Sequence, residues 1–212
     1  DWALTNIKCK RHAGNYDYSQ EEDSKILNEC LAHSSLFRKP KIGNTSVIFV
    51  HPFYASLSDL EAVSDPLTEK SVWSYCSRVL NFLNSREEYP GVNFVLLDTA
   101  QHYMADSSML MEKGCFDRVI FTEYDRGDLL DDRKLKPFSN DDIFFAGAYN
   151  GSCLTSSIYS MNYHLDKGKI WGIKDLVLNS LFPEHIEEVS SIIDVEDRRT
   201  VSLDEAIKMF KH

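Results

Sequence analysis

The sequence lacks any long apolar stretch, and no run approaches the ~20 residues that an α-helix needs to cross a membrane. It has no internal repeat, no low-complexity tract and no basic-then-apolar signal peptide at its start. Its five cysteines are scattered without a CxxC pair, which is typical of a reducing compartment and not of a disulfide framework. We therefore expect a cytoplasmic protein that makes no membrane contact.

Basic residues are also in short supply. Lys and Arg number 23 against 33 Asp and Glu, which gives a formal net charge of −10. Phosphate backbones and anionic lipids repel an acidic chain, so neither nucleic acid nor a membrane surface is expected as the main partner. What the sequence does contain is 43% hydrophobic and 12% aromatic residues in a chain of 212. That composition and length predict a folded domain with a substantial core.

Short apolar runs alternate with helical patterns along most of the chain. This alternation implies right-handed crossovers and a parallel sheet covered on both faces. We therefore predict an α/β fold with three α-β-α layers and a mainly parallel, Rossmann-like sheet of about six strands. The predicted strands are Ser46–Val50, Val92–Leu97, Phe116–Phe121, Ile143–Ala146, Lys169–Ile173 and Arg199–Val201. The predicted helices are Ser71–Ser85, Ser107–Lys113, Cys153 to the stop at Gly168, Glu184–Ile192 and Ser202–Lys211.

Residues 1–44 precede this pattern and are predicted to form an arm followed by a helix. Ser19 and Glu22 have the spacing of a capping box, and the apolar residues that follow share one helical face. Two interpretations stay open: a helix packed on the outside of the domain, or an arm that forms an oligomer. The α/β domain itself is predicted to span residues 45–212, and we expect a homo-oligomer.

The stretch from Ile143 to Val177 carries the main chemical signal. A buried strand is predicted to end at Gly147, a small-residue turn follows from Ala148 to Ser152, and a helix begins at Cys153. A thiol at a helix N-terminus is favoured as thiolate, because unpaired N–H groups and the helix dipole stabilise negative charge. The N–H groups of the turn Tyr149, Asn150, Gly151 and Ser152 could hold an oxyanion in the same way.

This segment resembles the nucleophile segment of isochorismatase-like cysteine hydrolases. The matching residues read Gly147-Ala-Tyr-Asn-Gly-Ser-Cys153-Leu154, followed by a helix, a glycine and a strand that closes on Lys174-Asp175. The closing strand and helix around Arg199–Ile207 fit as well, so the resemblance covers roughly residues 45 to 210. The family includes isochorismatases, nicotinamidases and N-carbamoylsarcosine amidases. The resemblance implies a cysteine hydrolase of a small amide or vinyl-ether substrate.

The family's three catalytic positions are only partly filled here. The resemblance implies an Asp after the first strand as general base, a Lys after the third strand to stabilise charge, and a Cys after the fourth as nucleophile. Cys153 fills the last position, whereas His51 occupies the Asp position and Thr122 the Lys position. Two outcomes stay open: a hydrolase with altered machinery, or a catalytically inactive relative that serves binding or assembly. The sequence therefore leaves open whether the chain is an enzyme.

A second chemistry is a Cys–His pair. Ligands of open parallel sheets bind beyond the carboxyl ends of the strands, where His51 and Cys153 are both predicted to lie. Imidazole is the usual base for a thiol nucleophile, and Asp98 or Glu123 could orient the ring. The alternative is that His51, which precedes Pro52, only terminates a strand.

No metal or other cofactor is expected. Asp98 and His102 are four residues apart, which is not the ligand spacing of the family's metal-binding members, and His102 is predicted to be a solvated loop residue. A pocket for a small planar ligand could be lined by Phe53, Tyr54, His102, Tyr103 and Tyr149. Ordinary packing of these aromatic side chains at the rim is the other interpretation.

Overall fold

The computed structural model describes residues 43–53, 66–103, 107–122, 129, 141–161, 170–179 and 199–211. The strands are β1 (Thr45–Val50), β2 (Val92–Asp98), β3 (Arg118–Phe121), β4 (Asp142–Asn150), β5 (Ile170–Asn179) and β6 (Arg199–Val201). The helices are α1 (Pro66–Asn84), α2 (Ala100–His102), α3 (Ser108–Glu112), α4 (Cys153–Met161) and α5 (Leu203–Phe210), with a 3-10 turn at Arg86–Glu88. Residues 1–42 of the predicted arm and the predicted helix at 184–192 lie outside the described residues.

The six strands form one sheet in the order β3-β2-β1-β4-β5-β6, and every pair is parallel. This confirms the predicted parallel sheet and its strand number. β1 and β4 are adjacent at its centre, with Val50 opposite Gly147. The carboxyl ends of β1 and β4 therefore meet at one edge, as the predicted site requires. No helix in the described part of the chain is long and apolar enough to span a membrane.

Two apolar clusters cover the two faces of the sheet and confirm the three-layer architecture. Alternate residues of each strand point to opposite faces, so that in β1 Phe49 joins one cluster and Ile48 the other. The first cluster packs against α1 and α5, and its rings include a stacked pair of Phe144 and Trp171 with centroids 5.1 Å apart. The second cluster packs against α4 through Leu154, Ile158 and Met161. Burying each large side chain contributes about 1.5–3 kcal/mol.

Several predicted boundaries need correction. β4 does not end at Gly147 but continues to Asn150, and Gly147 takes up a φ of 120° within the strand, at an irregularity in its register with β5. β5 likewise extends six residues beyond Ile173, to Asn179, after an irregularity in its register with β4. α1 begins at Pro66, where the fixed φ of proline suits the first helical turn. β3 begins at Arg118 and not at Phe116.

The amino edge of the sheet is held by a buried ion pair. Arg86 is hydrogen-bonded to Asp117 and donates a second hydrogen bond to the carbonyl oxygen of Gly114 at 2.8 Å. The other carboxylate oxygen of Asp117 accepts from the backbone N–H of Phe94 at 2.9 Å. Because its charges are paired and hydrogen-bonded, this cluster can be buried, and it joins the 3-10 turn to β2 and β3. It lies at the opposite edge of the sheet from the candidate site.

Candidate functional site

His51 follows β1 directly and has an unusual backbone conformation. Its φ is 40°, in the left-handed region that is uncommon for residues other than glycine. Its N–H donates to the carbonyl oxygen of Leu97 in β2 at 2.9 Å, which continues the parallel ladder one residue past the strand. The side chain is 1% exposed. The backbone at His51 therefore turns sharply while its imidazole stays inside the protein.

The imidazole of His51 reaches the end of β3. Its Nε2 atom lies 2.7 Å from Oγ1 of Thr122, a buried hydrogen bond between two side chains. β2 runs between β1 and β3, so this bond passes over the carboxyl end of β2. The backbone N–H of Thr122 also donates to the carbonyl oxygen of Asp98 at 3.0 Å. The sequence-predicted residues His51, Thr122 and Asp98 are thus brought together.

Asp98 ends β2 beneath that bond and is 2% exposed. One carboxylate oxygen accepts from the N–H of Thr99 at 3.0 Å, and the other accepts from the hydroxyl of Ser107 at 2.8 Å. Burial raises the pKa of Asp98 from 3.8 to about 7, because desolvation outweighs the two hydrogen bonds, which favour the charged form. Near neutral pH this carboxyl group therefore exists in both protonation states.

His102 was predicted to be solvated, and this prediction is wrong. Thr99 accepts the N–H of His102 through its side chain at 3.2 Å and caps the short helix α2, which turns the histidine inward. His102 is 4% exposed, and its ring lies edge-on to the ring of His51, with the ring centroids 6.5 Å apart. Nδ1 lies 3.9 Å from a carboxylate oxygen of Asp98.

The two histidines are neutral at pH 7. Burial lowers the pKa of His51 to about 4, and burial together with the neighbouring His51 lowers the pKa of His102 to about 3. The approach of His102 to Asp98 is therefore not an ion pair, because a salt bridge would require the imidazolium form that burial opposes. The cluster of His51, Thr122, Asp98, His102 and Ser107 carries between zero and one negative charge near neutrality.

Gly147 brings the nucleophile segment against the end of β1. A Cβ atom at this position would lie 2.0 Å from the carbonyl oxygen of Val50 and 2.7 Å from its nitrogen. Only glycine permits so close an approach, and its φ of 120° is also open to few other residues. The chain then passes a cis peptide between Ala148 and Tyr149.

Cys153 is the first residue of α4 and is 6% exposed. Its Sγ lies 3.8 Å from the hydroxyl oxygen of Ser152. In the preceding turn, the N–H of Gly151 donates to the hydroxyl of Thr155 at 3.0 Å, and the N–H of Ser152 donates to the carbonyl oxygen of Tyr149 at 3.0 Å. These two N–H groups thus have acceptors within the segment itself.

Asn150, the last residue of β4, contacts the end of β5 through its side chain. Its side-chain nitrogen donates to the side-chain oxygen of Asn179 at 3.0 Å, which joins the ends of β4 and β5. The nucleophile segment is therefore supported from both neighbouring strands, by Val50 on one side and Asn179 on the other.

The aromatic residues proposed to line a pocket are buried. Phe53, Tyr103 and Tyr149 are 1–4% exposed and belong to the apolar cluster on the α1 face. Tyr103 packs edge-on against Phe121 with ring centroids 5.6 Å apart. Tyr54 and Glu123 lie outside the described residues. A ligand role for this aromatic set stays a prediction.

Sequence reasoning missed Ser107 and Thr99. Both are hydroxyl residues placed just before short helices, at Thr99 for α2 and Ser107 for α3, which is a recognisable capping position. Their contacts with Asp98 follow from the fold, which returns the chain to the end of β2. Within the described ranges, no three His, Cys, Asp or Glu side chains are grouped so that they could hold a metal ion.

Comparison with solved structures shows that the resemblance predicted from the sequence is one of fold. An isochorismatase-like hydrolase from Alkaliphilus metalliredigens matches 79% of this chain and 99% of its own, with a TM-score of 0.54 and 10% identity. A Leishmania major protein provisionally assigned as MAR1 ribonuclease matches 82% of this chain and 87% of its own, with a TM-score of 0.51 and 9% identity. A nicotinamidase from Staphylococcus aureus covers 75% of this chain and 99% of its own, with a TM-score of 0.48 and 12% identity.

No family model and no curated protein sequence matches this chain. At identities near 10% the similarity concerns the arrangement of strands and helices, and fold alone does not determine activity. The chain therefore has the isochorismatase-like fold, and its chemistry must be argued from its own residues.

Proposed function

We propose that this protein is a cysteine hydrolase with altered machinery, in which Cys153 is the nucleophile towards a small amide and His51 and Thr122 replace the carboxylate and the ammonium group of the related fold. A vinyl-ether-like substrate is the other class that the resemblance implies. The observation that supports the proposal best is the hydrogen bond between His51 and Thr122. His51 and Thr122 form one buried hydrogen-bonded unit, and His51 follows the strand that pairs with β4, which leads to the nucleophile segment.

The proposed reaction needs a proton acceptor for the thiol. Cys153 loses its proton as its sulfur forms a bond to the amide carbon, and the proton passes to the leaving nitrogen as the carbon–nitrogen bond breaks. Water then hydrolyses the thioester and restores the thiol. His51 is the proposed acceptor, because a neutral imidazole can take a proton, and it terminates the strand adjacent to the one that leads to Cys153.

The first turn of α4 would supply the electrostatic help. A helix N-terminus carries a partial positive charge, which stabilises both a thiolate and the oxyanion formed on the carbonyl oxygen. Since no lysine stands at the position of Thr122, this partial charge is the main positive feature that the site offers in the described part of the chain. We therefore propose a slow hydrolase.

The conformation of His51 supports a retained function. A side chain larger than hydrogen at positive φ costs of the order of 1–3 kcal/mol and persists where the surrounding structure enforces it, commonly at functional sites. Two buried histidines and a buried carboxyl add a further desolvation cost.

One observation favours the second candidate, an inactive module for binding or assembly. Nε2 of His51 is engaged by Thr122, and the pKa of this histidine is lowered to about 4, which makes it a weak base. In that case the cluster would serve only to hold a ligand or the local structure. We further propose that the protein is cytoplasmic and forms a homo-oligomer. Cys76, Cys115 and Cys153 are not in disulfides, which suits a reducing compartment.

Acylation by p-nitrophenyl acetate would separate the two candidates. We expect a rapid first turnover with the acetyl group on Cys153, identified by peptide mass mapping, and loss of the burst in Cys153→Ala. His51→Asn should slow acylation, because asparagine tolerates positive φ but cannot accept the proton. Cys115 is a matched internal control, since it is also buried and burial raises its pKa. Acylation of Cys153 that is no faster than that of Cys115 would favour the module.

A further inference from the structure

Asp98 is the one carboxyl group of the buried cluster, and the two groups that donate hydrogen bonds to it are both uncharged. They are the backbone N–H of Thr99 and the hydroxyl of Ser107. Among the residues that the structure describes, the only basic side chain within 4 Å of its oxygens is His102. Since burial keeps His102 neutral at pH 7, that contact does not compensate a negative charge.

The groups on the neighbouring elements do not compensate the negative charge of Asp98 either. From β1 comes His51, which is neutral above about pH 4, and from the end of β3 comes Thr122, whose hydroxyl is bonded to His51. From the residue before α3 comes only the hydroxyl of Ser107, which donates to Asp98. In the described part of the chain, the ionised form of Asp98 is thus buried without a cation, a situation that costs several kcal/mol.

We infer that this site selects substrates that carry a positive charge and rejects carboxylates, with Asp98 as the group that recognises the charge. The inference rests on the proposed function, in which the substrate's carbonyl group lies at Cys153. An amino- or guanidino-substituted small amide is the class that fits. A cation beside Asp98 would supply the missing countercharge, whereas a carboxylate would meet a like charge in a site of low dielectric constant.

The spacing of the strands would allow one small molecule to reach both Asp98 and Cys153. Asp98 ends β2 and Cys153 follows β4, and only β1 lies between these strands. Adjacent strands are about 4.8 Å apart, so β2 and β4 are separated by about 10 Å, and Cys153 follows three residues after the end of β4. A charge at this distance still acts on a bound group, because the distance does not exceed the screening length of about 10 Å at moderate salt and the site is largely buried.

The selectivity should depend on pH. The pKa of Asp98 is raised to about 7. A bound cation favours the ionised form, so binding of the cation releases the proton of the carboxyl group. His51 and His102 stay neutral across this range, and Ser107 and Thr99 do not titrate. Preference for a positive charge should therefore increase as the pH rises through about 7.

Charged thiol reagents test the preference of the site for a positive charge, and the substrate need not be known. Methanethiosulfonates bearing trimethylammonium, methyl or sulfonate groups would be reacted with the full chain between pH 6 and 8, and modification of Cys153 followed by peptide mass mapping. In each reaction the thiolate forms a disulfide with the reagent and methanesulfinate leaves. Every rate is divided by that for 2-mercaptoethanol under the same conditions, and the ratio of two reagents cancels the ionisation of Cys153 itself.

We expect the normalised ratio of the cationic to the anionic reagent to be about tenfold at pH 8, within the range typical of electrostatic steering into clefts, and smaller at pH 6. Asp98→Asn should return the ratio to the free-thiol value. Glu112→Gln, which removes one negative charge from the exposed surface of α3, should leave it unchanged. Ser107→Ala is a second variant for the case that Asp98→Asn does not fold: without the donor, the pKa of Asp98 rises and the pH midpoint of the ratio moves upward.

The remaining outcomes are distinct. A ratio equal to that of the free thiol, or fastest reaction with the neutral or anionic reagent, would overturn the inference and leave the cysteine hydrolase proposal in place. Failure of all three reagents to modify Cys153 in the folded chain, with normal modification in urea, would overturn the proposed function and the inference together.

Discussion

Nε2 of His51 and Oγ1 of Thr122 lie 2.7 Å apart although 71 residues separate the two positions in the chain. The two residues directly follow β1 and β3, which are not neighbours in the sheet, and the bond crosses the end of β2. In the related fold the resemblance places a carboxylate and an ammonium group here. The resemblance therefore implies that a neutral hydrogen bond stands where the related family places two opposite charges.

Thr122→Val should show how much this bond contributes. The variant keeps the volume but removes the hydroxyl, so we expect the free energy of unfolding to fall by about 1–3 kcal/mol, the usual cost of a buried polar group that loses its partner. Urea denaturation is the measurement. Thr200→Val in exposed β6 is the matched control and should change stability by no more than about 0.5 kcal/mol. With His51→Asn, a double-mutant cycle should yield a coupling of about 0.5–3 kcal/mol; a coupling near zero would contradict the bond.

Turnover of nicotinamide or isochorismate should be negligible. General acid–base help contributes about 10²–10⁴-fold, and the resemblance implies that both charged positions of the family are substituted here, by His51 and Thr122. The measurement is release of ammonia or of the hydrolysed product, with Cys153→Ala as the baseline. Rates that clearly exceed this baseline would show that another residue supplies the missing groups.

The free energy of unfolding should fall as the pH drops from about 6.5 to 4, because His51 and His102 are buried in the folded state. Their pKa values are lowered to about 4 in His51 and about 3 in His102. In this window the unfolded chain binds more protons than the folded one at these two residues, so stability is present above pH 6.5 and is lost on acidification. Asp98 acts in the opposite sense, because its raised pKa lets the folded state hold a proton that the unfolded state has released.

For these three groups the net difference is one proton, or about 1.4 kcal/mol per pH unit. His102→Gln removes one titrating histidine, so the slope contributed by the cluster should fall close to zero between pH 5 and 6.5. Urea unfolding at several pH values measures both slopes. Equal slopes in the two proteins would mean that His102 titrates normally and is not buried as described.

Gly147→Ala should damage the protein far more than the loss of one hydrogen atom suggests. The new Cβ would lie 2.0 Å from the carbonyl oxygen of Val50, and a φ of 120° disfavours alanine by itself. We expect a loss of about 2–5 kcal/mol in unfolding free energy, from backbone strain and overpacking together. The matched control is Gly91→Ala, whose Cβ would meet no atom within 4 Å and which should be within about 1 kcal/mol of the parent. Similar losses in both variants would contradict the close approach of β4 to β1.

Local sequence patterns were sufficient for the elements and their order. Continuous β-branched and aromatic runs such as Val47–Val50 predict buried strands, because a strand covered on both faces must be apolar at every position. The helix predicted at Ser202–Lys211 is present as α5, and the structure shows a capping box of Ser202 and Glu205 at its start with both hydrogen bonds formed. Strand ends were less predictable: Gly147 usually signals a break, yet here it allows β4 to continue, which depends on the contact with Val50.

Periodicity and residues close together in the chain account for the parallel α/β sheet and for the position of Cys153 at a helix start. The state of the site, in contrast, depends on how distant parts of the chain pack together. Whether His102 is solvated or buried, whether His51 meets Thr122, and which donors hold Asp98 depend on three strand ends meeting at one edge. Burial there changes the protonation of all three titratable groups, and burial is a property of the packed chain that no local pattern encodes.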